Sequence, residues 1–327
     1  MIKIKKSTLI CFALLASSFY AVAQQDAQYS QYMFNTLVIN PAYAGYKGDL
    51  NLSALHRSQW VGIDGAPKTQ SLVLDGSFVN DKMGFALTVV NDRIGIQGQT
   101  NAYLNYAYKL KVSEEGTLAF GMGLGLAQFT LNTGDAHFND PSDPNFNAGK
   151  LSFISPDAKA GLHFSTNKFY VGLSATNLFS KAIDYSTASK NLVIKQGQHI
   201  FFTAGYLVDV NDFLKFKPSF LIKEDTKGPT NLDINNFFLI GEKVWIGASY
   251  RTSVNLWKKN STMGAVKASD AIVGLLEIYA GKRVRVGYAY DHSVSSLQGF
   301  DNGSHEISIG YTFGSKTEFS ILSPRYF

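Results

Sequence analysis

The stretch TLAFGMGLGLA, residues 117–127, alternates large apolar residues with small residues over its whole length. In an extended chain Leu118, Phe120 and Met122 point to one side, and small residues such as Ala119 point to the other. In a helix the same order would place apolar side chains on every side. The stretch therefore predicts a β-strand with one strongly apolar face and one face of small side chains.

The same period of two recurs along most of the chain, between short groups of Gly, Asn and Asp. In residues 283–290, for example, Val284 and Val286 alternate with Arg283 and Arg285. Many of these segments have a length near ten residues, as expected of a strand that crosses a bilayer. We predict fourteen strands, at residues 50–57, 69–79, 83–91, 98–111, 116–129, 152–164, 167–176, 197–208, 213–223, 230–239, 243–251, 271–280, 283–292 and 304–313.

The connections between these strands alternate between short and long. The short ones fall at 80–82, 113–116, 166–167, 210–212, 241–242 and 281–282, and the longer ones include 130–151, 177–196, 252–270 and 293–303. Outer-membrane barrels have short periplasmic turns and longer external loops. A soluble β-sandwich has no reason to sort its loops in this way. The fold class is therefore all-β, a transmembrane antiparallel β-barrel of about 14 strands in outer-membrane lipid, with both termini on the periplasmic side.

The N-terminus has the layout of a secretory signal. Three lysines precede an apolar run at 9–15, which is too short to span a bilayer. Ala21-Val22-Ala23 then offers a cleavage site. We expect a signal peptide at 1–23, a periplasmic strap or plug segment at 24–49, the barrel at 50–313 and a periplasmic tail at 314–327.

Residues 24–49 do not alternate, and Pro and Gly interrupt them. Because they precede the first strand, they start at the periplasmic mouth of the barrel. They can either enter the lumen as a plug or pack beneath it as a strap. Sequence leaves both readings open.

Composition excludes several function classes. The only cysteine, Cys11, lies in the predicted signal, so no disulfide or thiolate chemistry is expected in the mature chain. The formal net charge of +5 falls towards neutrality once the signal lysines are removed, and this does not indicate nucleic-acid binding. Abundant Phe and Tyr suit a protein with one surface in lipid.

No catalytic constellation is apparent. The six histidines do not form the paired spacings of a zinc site, and no nucleophile-elbow motif occurs. The loop at 135–147 is rich in Asp and Asn, but it lacks EF-hand spacing, so a solvated loop is favoured over a calcium site. We expect no enzyme activity, no cofactor and no metal.

Basic residues on the non-apolar faces of the strands are expected to point into the lumen. They are Lys215, Lys217, Arg283 and Arg285. A charge on the lipid face would cost a few kcal/mol near the middle of the bilayer. These residues either line an anion-favouring pore or pair with inward carboxylates such as Glu306 and Asp233. The small residues of 117–127 favour a filled lumen.

Short motifs near the start of the mature chain carry a family resemblance. The segments QYSQYMFN (28–35), NPAYAG (40–45), HRSQW (56–60) and GAP (65–67), with the ending SPRYF (323–327), closely resemble the PorP/SprF family of type IX secretion outer-membrane proteins. The positions that carry it are Asn40, Pro41, Ala42, Gly45, Arg57, Gln59 and Trp60. What each residue does is left open. Arg57 and Gln59 can tie the end of the first strand to a loop, and Trp60 can be an interfacial anchor.

The resemblance implies a non-enzymatic barrel that assists secretion or surface anchoring of a specific cargo protein. Such cargo carries a type B C-terminal domain and is often a gliding adhesin, and the translocon itself is another protein. We expect cargo to dock on the long loops. The alternative is an outer-membrane channel for hydrophobic compounds of the fatty-acid transporter type, whose N-terminal hatch also carries an Asn-Pro-Ala sequence.

Overall fold

The computed structural model describes residues 28–79, 81–135, 149–179, 197–225, 229–254, 256, 269–281 and 283–314. Antiparallel β-strands make up most of this part of the chain. They are β1 (Leu50–Ser58), β2 (Lys68–Phe78), β3 (Met83–Ile94), β4 (Gln97–Lys111), β5 (Thr117–Asn132), β6 (Lys150–Ser165), β7 (Phe169–Thr176), β8 (His199–Tyr206), β9 (Val208–Asp209), β10 (Leu214–Asp225), β11 (Thr230–Ile240), β12 (Val244–Val254), β13 (Ser269–Ala280), β14 (Val284–Ser293) and β15 (Ser304–Phe313).

These strands form a single closed sheet. β8 and the two-residue β9 both pair with β10, so together they occupy one of fourteen positions around the barrel. The sheet closes where β1 pairs with β15, from Leu50↔Phe313 to Ser58↔His305. The predicted fourteen-stranded antiparallel barrel is confirmed, and each predicted strand lies within a few residues of an observed one.

The two faces of the barrel wall differ as the alternation predicted. On β5 the outward Leu124 is 55% exposed, whereas the inward Ala119 is 2% exposed. Outward Val286 on β14 is also exposed, and inward Ala289 is buried. The outer surface is therefore an apolar belt suited to lipid, and the small and polar side chains face the lumen.

The barrel has two distinct ends. We call the end at which β1 begins and β15 ends the terminal end, and the opposite end the loop end. Turns at the terminal end are short: only residues 241–243 separate β11 from β12. Gly241 and Glu242 both have positive φ, at 55° and 54°, as the central residues of a type I′ turn require. Within the described ranges, no helix is long and apolar enough to cross a bilayer.

Several predicted features lie outside the described residues. They are the signal peptide at 1–23, the centre of the Asp-rich loop at 136–148, most of the loops 177–196 and 252–270, and the tail beyond 314.

Candidate functional site: the luminal strap and its anchors

Residues 28–49 lie inside the barrel, and we call them the luminal strap. Two 3-10 turns, Thr36–Val38 and Pro41–Tyr43, are their only regular structure in the described chain. The strap side chains Tyr32, Phe34 and Tyr43 are buried. The strap is therefore part of the core of the molecule.

Asn40, Pro41 and Ala42 form a capped turn against the barrel wall. Asn40 Oδ1 accepts a hydrogen bond from the Ala42 N–H at 2.9 Å, and Pro41 occupies the first position of the turn, where no N–H is needed. Asn40 Nδ2 donates to the carbonyl of Leu162 on β6 at 3.1 Å. One side chain thus shapes the strap and fastens it to the wall.

Glycines on three strands make room for this turn and for the residues that follow it. We call Gly84 on β3, Gly121 on β5 and Gly161 on β6 the glycine row. A Cβ at Gly121 would lie 2.1 Å from the Ala42 nitrogen, and one at Gly161 would lie 2.1 Å from Asn40 Oδ1. Both distances are too short for a real contact, so the wall needs glycine where the strap backbone crosses Gly121 and where the Asn40 side chain packs against Gly161.

Gly45 completes the crossing. Its φ of +62° is in the left-handed region, and a Cβ there would lie 2.6 Å from the carbonyl oxygen of Gly76 on β2. Lys109 Nζ on β4 donates a hydrogen bond to the Gly45 carbonyl in the same turn. Both conformation and space therefore require glycine at this position.

Buried charges hold the other end of the strap. We call Arg57, Asp233, Arg251, Asp291 and Glu306 the luminal ion cluster. Arg57 Nη2 lies 2.7 Å from Asp291 Oδ2, and Arg57 Nη1 lies 3.1 Å from Glu306 Oε2. Arg251 joins the cluster through Asp233 at 3.1 Å and Asp291 at 3.3 Å. All five side chains are buried, so their mutual pairing offsets their loss of water.

The strap backbone is bonded directly to this cluster. The N–H groups of Ser30 and Gln31 donate to the two carboxylate oxygens of Glu306 at 2.8 and 2.7 Å. Ser30 Oγ donates to Asp291 at 2.7 Å and accepts from Arg57 Nη1 at 2.9 Å. The luminal ion cluster is therefore completed by the strap.

Hydrogen bonds and rings fix the middle of the strap. Lys159 Nζ donates to the Val38 carbonyl at 3.1 Å, and Ser174 Oγ donates to the Ile39 carbonyl at 2.8 Å. The ring of Tyr43 lies 4.1 Å from that of His163, centroid to centroid. Wall side chains thus donate hydrogen bonds to strap carbonyls that would otherwise be buried without donors.

The arrangement of barrel and strap can be compared with known proteins. The family model described as Type IX secretion system membrane protein PorP/SprF matches residues 21–311. The chain belongs to the PorP/SprF family. This confirms the resemblance read from the N-terminal motifs. The family and the fold are those of a secretion protein that forms an outer-membrane barrel. They are not those of a known enzyme family.

The chain is similar to solved structures of membrane proteins at low identity. A TodX monoaromatic hydrocarbon channel, in a deltaS2S3 mutant, has a TM-score of 0.50 with 8% identity, over 85% of this chain and 93% of that one. The outer-membrane protein Omp33 of Acinetobacter baumannii has a TM-score of 0.46 with 9% identity, over 82% and 100%. A FadL homologue of Pseudomonas aeruginosa has a TM-score of 0.44 with 12% identity, over 86% and 94%. No curated protein matches this PorP/SprF chain.

The basic residues predicted to face the lumen of this PorP/SprF barrel have different surroundings. Lys217 is buried, with its Nζ 5.4 Å from the ring centre of Tyr170. Arg285 donates to the Phe34 carbonyl of the strap at 3.1 Å. Arg283 precedes β14 in a turn and is exposed, because the strand begins one residue later.

Lys215 lies near the terminal end of β10. Its Nζ is 3.3 Å from Asp209 Oδ1, and Lys168 Nζ in the adjacent turn is 2.8 Å from Asp209 Oδ2. The hydrogen bond with Asp209 raises the pKa of Lys168. Lys168 and Asp209 are largely exposed, so this group contributes little to stability.

The remaining motif residues build a loop at the loop end. The Gln59 N–H donates to the Pro67 carbonyl at 2.9 Å, and the Trp60 N–H donates to Ser304 Oγ at 3.1 Å. Trp60 has a φ of +46°, uncommon for a residue with a side chain. Arg57 belongs to the luminal ion cluster instead of reaching a loop.

Sequence reasoning did not predict that the residues of the luminal ion cluster lie together. Strand parity could have placed Arg251 and Asp291 inward, because outward Tyr250 and Tyr290 flank them on β12 and β14. It could not have shown that Ser30 meets them, since 261 positions separate Ser30 from Asp291. Within the part of the chain that the structure describes, no His, Cys, Asp or Glu group is arranged to hold a metal ion.

Proposed function

We propose that this protein assists secretion, surface anchoring, or both, of a specific exported protein by the type IX system. The partner would carry a type B C-terminal domain, as gliding adhesins do. In this proposal residues 1–23 are removed as a signal peptide, the terminal end faces the periplasm and the loop end faces the outside. Membership of the PorP/SprF family is the observation that carries the proposal.

The strap favours a role in docking a partner protein over a role in conducting a polypeptide through the lumen. It crosses the lumen, and its backbone is bonded to Glu306 at one end and packed against Gly121 near the other. A polypeptide in transit would have to displace these contacts. We therefore assign export itself to a separate translocon and assign partner binding to the loops at 130–151, 177–196 and 252–270.

A channel for hydrophobic compounds is the second candidate. The Asn40-Pro41-Ala42 turn inside the barrel favours it, because hatches of that class carry the same three residues. Charged groups on the path disfavour it: Arg57, Arg251 and Lys159 all contact the strap. A ligand of that class prefers an apolar route with few polar groups.

Gene deletion followed by surface proteomics tests the proposal. We expect one or a few large surface proteins to be lost, while total outer-membrane protein is unchanged. A gentle-detergent pull-down of the tagged full-length protein should recover the same proteins or a type IX component. An unchanged surface proteome, together with lost uptake of a hydrophobic compound, would favour the second candidate. Deleting single loops would then identify which loop binds the partner.

A further inference from the structure

The apolar belt of the outer surface ends in a basic patch on one side of the loop end. On β2 the outward residues change from the apolar Leu72 to Gln70 and then to Lys68. On β3, Arg93 is likewise the second polar outward residue beyond the apolar ones. On both strands this change marks the level at which the hydrocarbon of the bilayer ends. Lys68 and Arg93 therefore lie close to the lipid headgroups.

The depth of Lys68 agrees with this level. Four residues of strand lead from Leu72 to Lys68, which corresponds to about 13 Å along β2 and to about 10 Å along the membrane normal at a strand tilt of about 40°. The headgroup layer adds about 5–7 Å to each side of the hydrocarbon core. A lysine side chain is long enough to reach back over the remaining distance. The ammonium group of Lys68 can therefore contact a lipid headgroup.

Lys68 and Arg93 lie directly opposite each other on adjacent strands. Side chains in such a pair share one face, with Cβ atoms about 4.5–5.5 Å apart, and like charges there are destabilising. The Lys68 side chain is exposed and makes no hydrogen bond or ion pair with the part of the chain that the structure describes. An anion bound between the two side chains would replace their repulsion by two attractions.

The surroundings of this pair are polar and held in place. Ser58, at the end of β1, is directly opposite Lys68, and its Oγ lies 3.1 Å from His56 Nε2. Beyond the strand ends, the Gly95 N–H donates to the Gly65 carbonyl at 2.8 Å, which joins the turn after β3 to the loop after β1. The basic pair thus has a hydroxyl group beside it, on strand ends that are fixed relative to each other.

No carboxylate balances the patch on this part of the wall. The outward positions of β14, β15, β1, β2 and β3, all within the described ranges, contain no Asp or Glu, and Asp64 lies in the loop beyond the strand ends. On β14 and β15 the edge of the apolar belt carries Tyr288, whose Oη lies 2.7 Å from His305 Nδ1. Amphipathic aromatic side chains of this kind are typical of a membrane interface. The patch is therefore cationic and faces lipid.

We propose that Lys68 and Arg93, together with the Ser58 hydroxyl, bind a phosphate group on the sugar headgroup of lipopolysaccharide in the outer leaflet. Arg binds phosphate through its planar fork of donors, and Lys binds it as a point charge. A lipid has direct access to this outward face, whereas a secreted protein in water would approach the loops. The choice of leaflet, and with it of this lipid, rests on the proposed function, in which the loop end faces outward.

Binding of lipopolysaccharide by the purified protein tests the site. Fluorescent lipopolysaccharide is mixed with the protein in micelles of a neutral detergent, and its anisotropy gives the Kd. The double variant Lys68→Gln/Arg93→Gln is compared with Lys82→Gln/Lys111→Gln, which removes the same charge from exposed positions at the terminal end. The mobility of the folded band shows that each variant forms the barrel.

We expect Lys68→Gln/Arg93→Gln to bind about tenfold more weakly or worse, as loss of a charge-assisted hydrogen bond predicts, and the control to bind as the unchanged protein does. Enzymatic removal of the lipid phosphates should weaken binding by a similar factor. Equal binding by the two double variants, or unchanged binding of dephosphorylated lipopolysaccharide, would overturn the inference. Equally tight binding of phosphatidylglycerol would overturn the choice of lipopolysaccharide as the ligand.

Orientation and partner binding are tested separately. Asp64→Cys at the loop end and Lys243→Cys at the terminal end are treated in intact cells with a small membrane-impermeant maleimide. Cys11, within the predicted signal, is the only cysteine, so the background is clean. We expect only Asp64→Cys to label, whereas labelling of Lys243→Cys alone would place the patch in the inner leaflet and overturn the inference. An unchanged surface proteome after gene deletion would overturn the proposed function and leave the lipid site standing.

Discussion

At the scale of single residues, Arg57 shows how a motif position acquires a role only in three dimensions. Its guanidinium contacts Asp291, Glu306 and Ser30 in a site that is 1% exposed. Arg57→Ala would leave the buried carboxylates of Asp291 and Glu306 with less countercharge, since of these two Arg251 contacts only Asp291. Breaking a buried ion pair in this way costs about 3–5 kcal/mol.

The measurement is unfolding of the detergent-solubilised barrel in urea, followed by the mobility shift of the folded band. Arg283→Ala is the matched control, because Arg283 is exposed in a turn and its loss should change the free energy of unfolding by less than about 0.5 kcal/mol. Equal stability of the two variants would contradict a structural role for the luminal ion cluster.

Gly121 gives a second prediction at this scale. Gly121→Ala would place a methyl group 2.1 Å from the Ala42 nitrogen, so the strap or β5 must shift. Overpacking of this kind costs about 1–3 kcal/mol. Gly274→Ala is the control, since nothing lies within 4 Å of a Cβ there. Thermal unfolding of both variants checks the difference, and an unchanged Gly121→Ala protein would contradict close packing of the strap.

At the scale of elements, strands were predictable and the strap was not. The alternation of apolar and small residues predicted a strand at 117–127, because this pattern lies within the strand itself. β5 nevertheless continues to Asn132, and β6 already begins at Lys150, so both strands extend beyond the apolar alternation. They do so because each provides the hydrogen-bonding partner of the other. Pairing between strands is a non-local property that the pattern of one strand does not contain.

The path of the strap depends on contacts even further apart. Ser30 and Glu306 are 276 positions apart, and Asn40 and Leu162 are 122 apart. The sequence showed only that residues 24–49 lack alternation and contain small residues. Glycines at 121 and 123 indicated that something packs inside, but not which segment does so.

Asn40 supplies the prediction at this scale. Asn40→Ala removes the bonds to the Ala42 N–H and the Leu162 carbonyl, which should cost about 1–3 kcal/mol. Amide hydrogen exchange of the strap should accelerate while the barrel strands keep their protection. Asn91→Ala is the control, because the bond from Asn91 to Thr100 is exposed. Uniform exchange changes in the whole barrel would show that the strap is not a separable element.

At the scale of the whole molecule, the barrel wall and the strap have separate roles, the wall in stability and the strap in access to the lumen. The ladder closes on itself at β1 and β15, so the wall does not need the strap to satisfy its backbone. The strap fills the lumen and completes the luminal ion cluster. The two parts should therefore be separable by mutation, with the barrel still formed.

Deletion of residues 28–46 is expected to leave an open barrel. Purified in detergent and placed in a planar bilayer, this variant should conduct ions, whereas the intact protein should not, because its lumen contains the strap. Substitution of Ser30 by Ala, which removes one hydroxyl of the same segment, is the control and should remain closed. A folded deletion variant without conductance would mean that other residues close the lumen. In that case the strap would be an anchor for the barrel interior, and access would be controlled elsewhere.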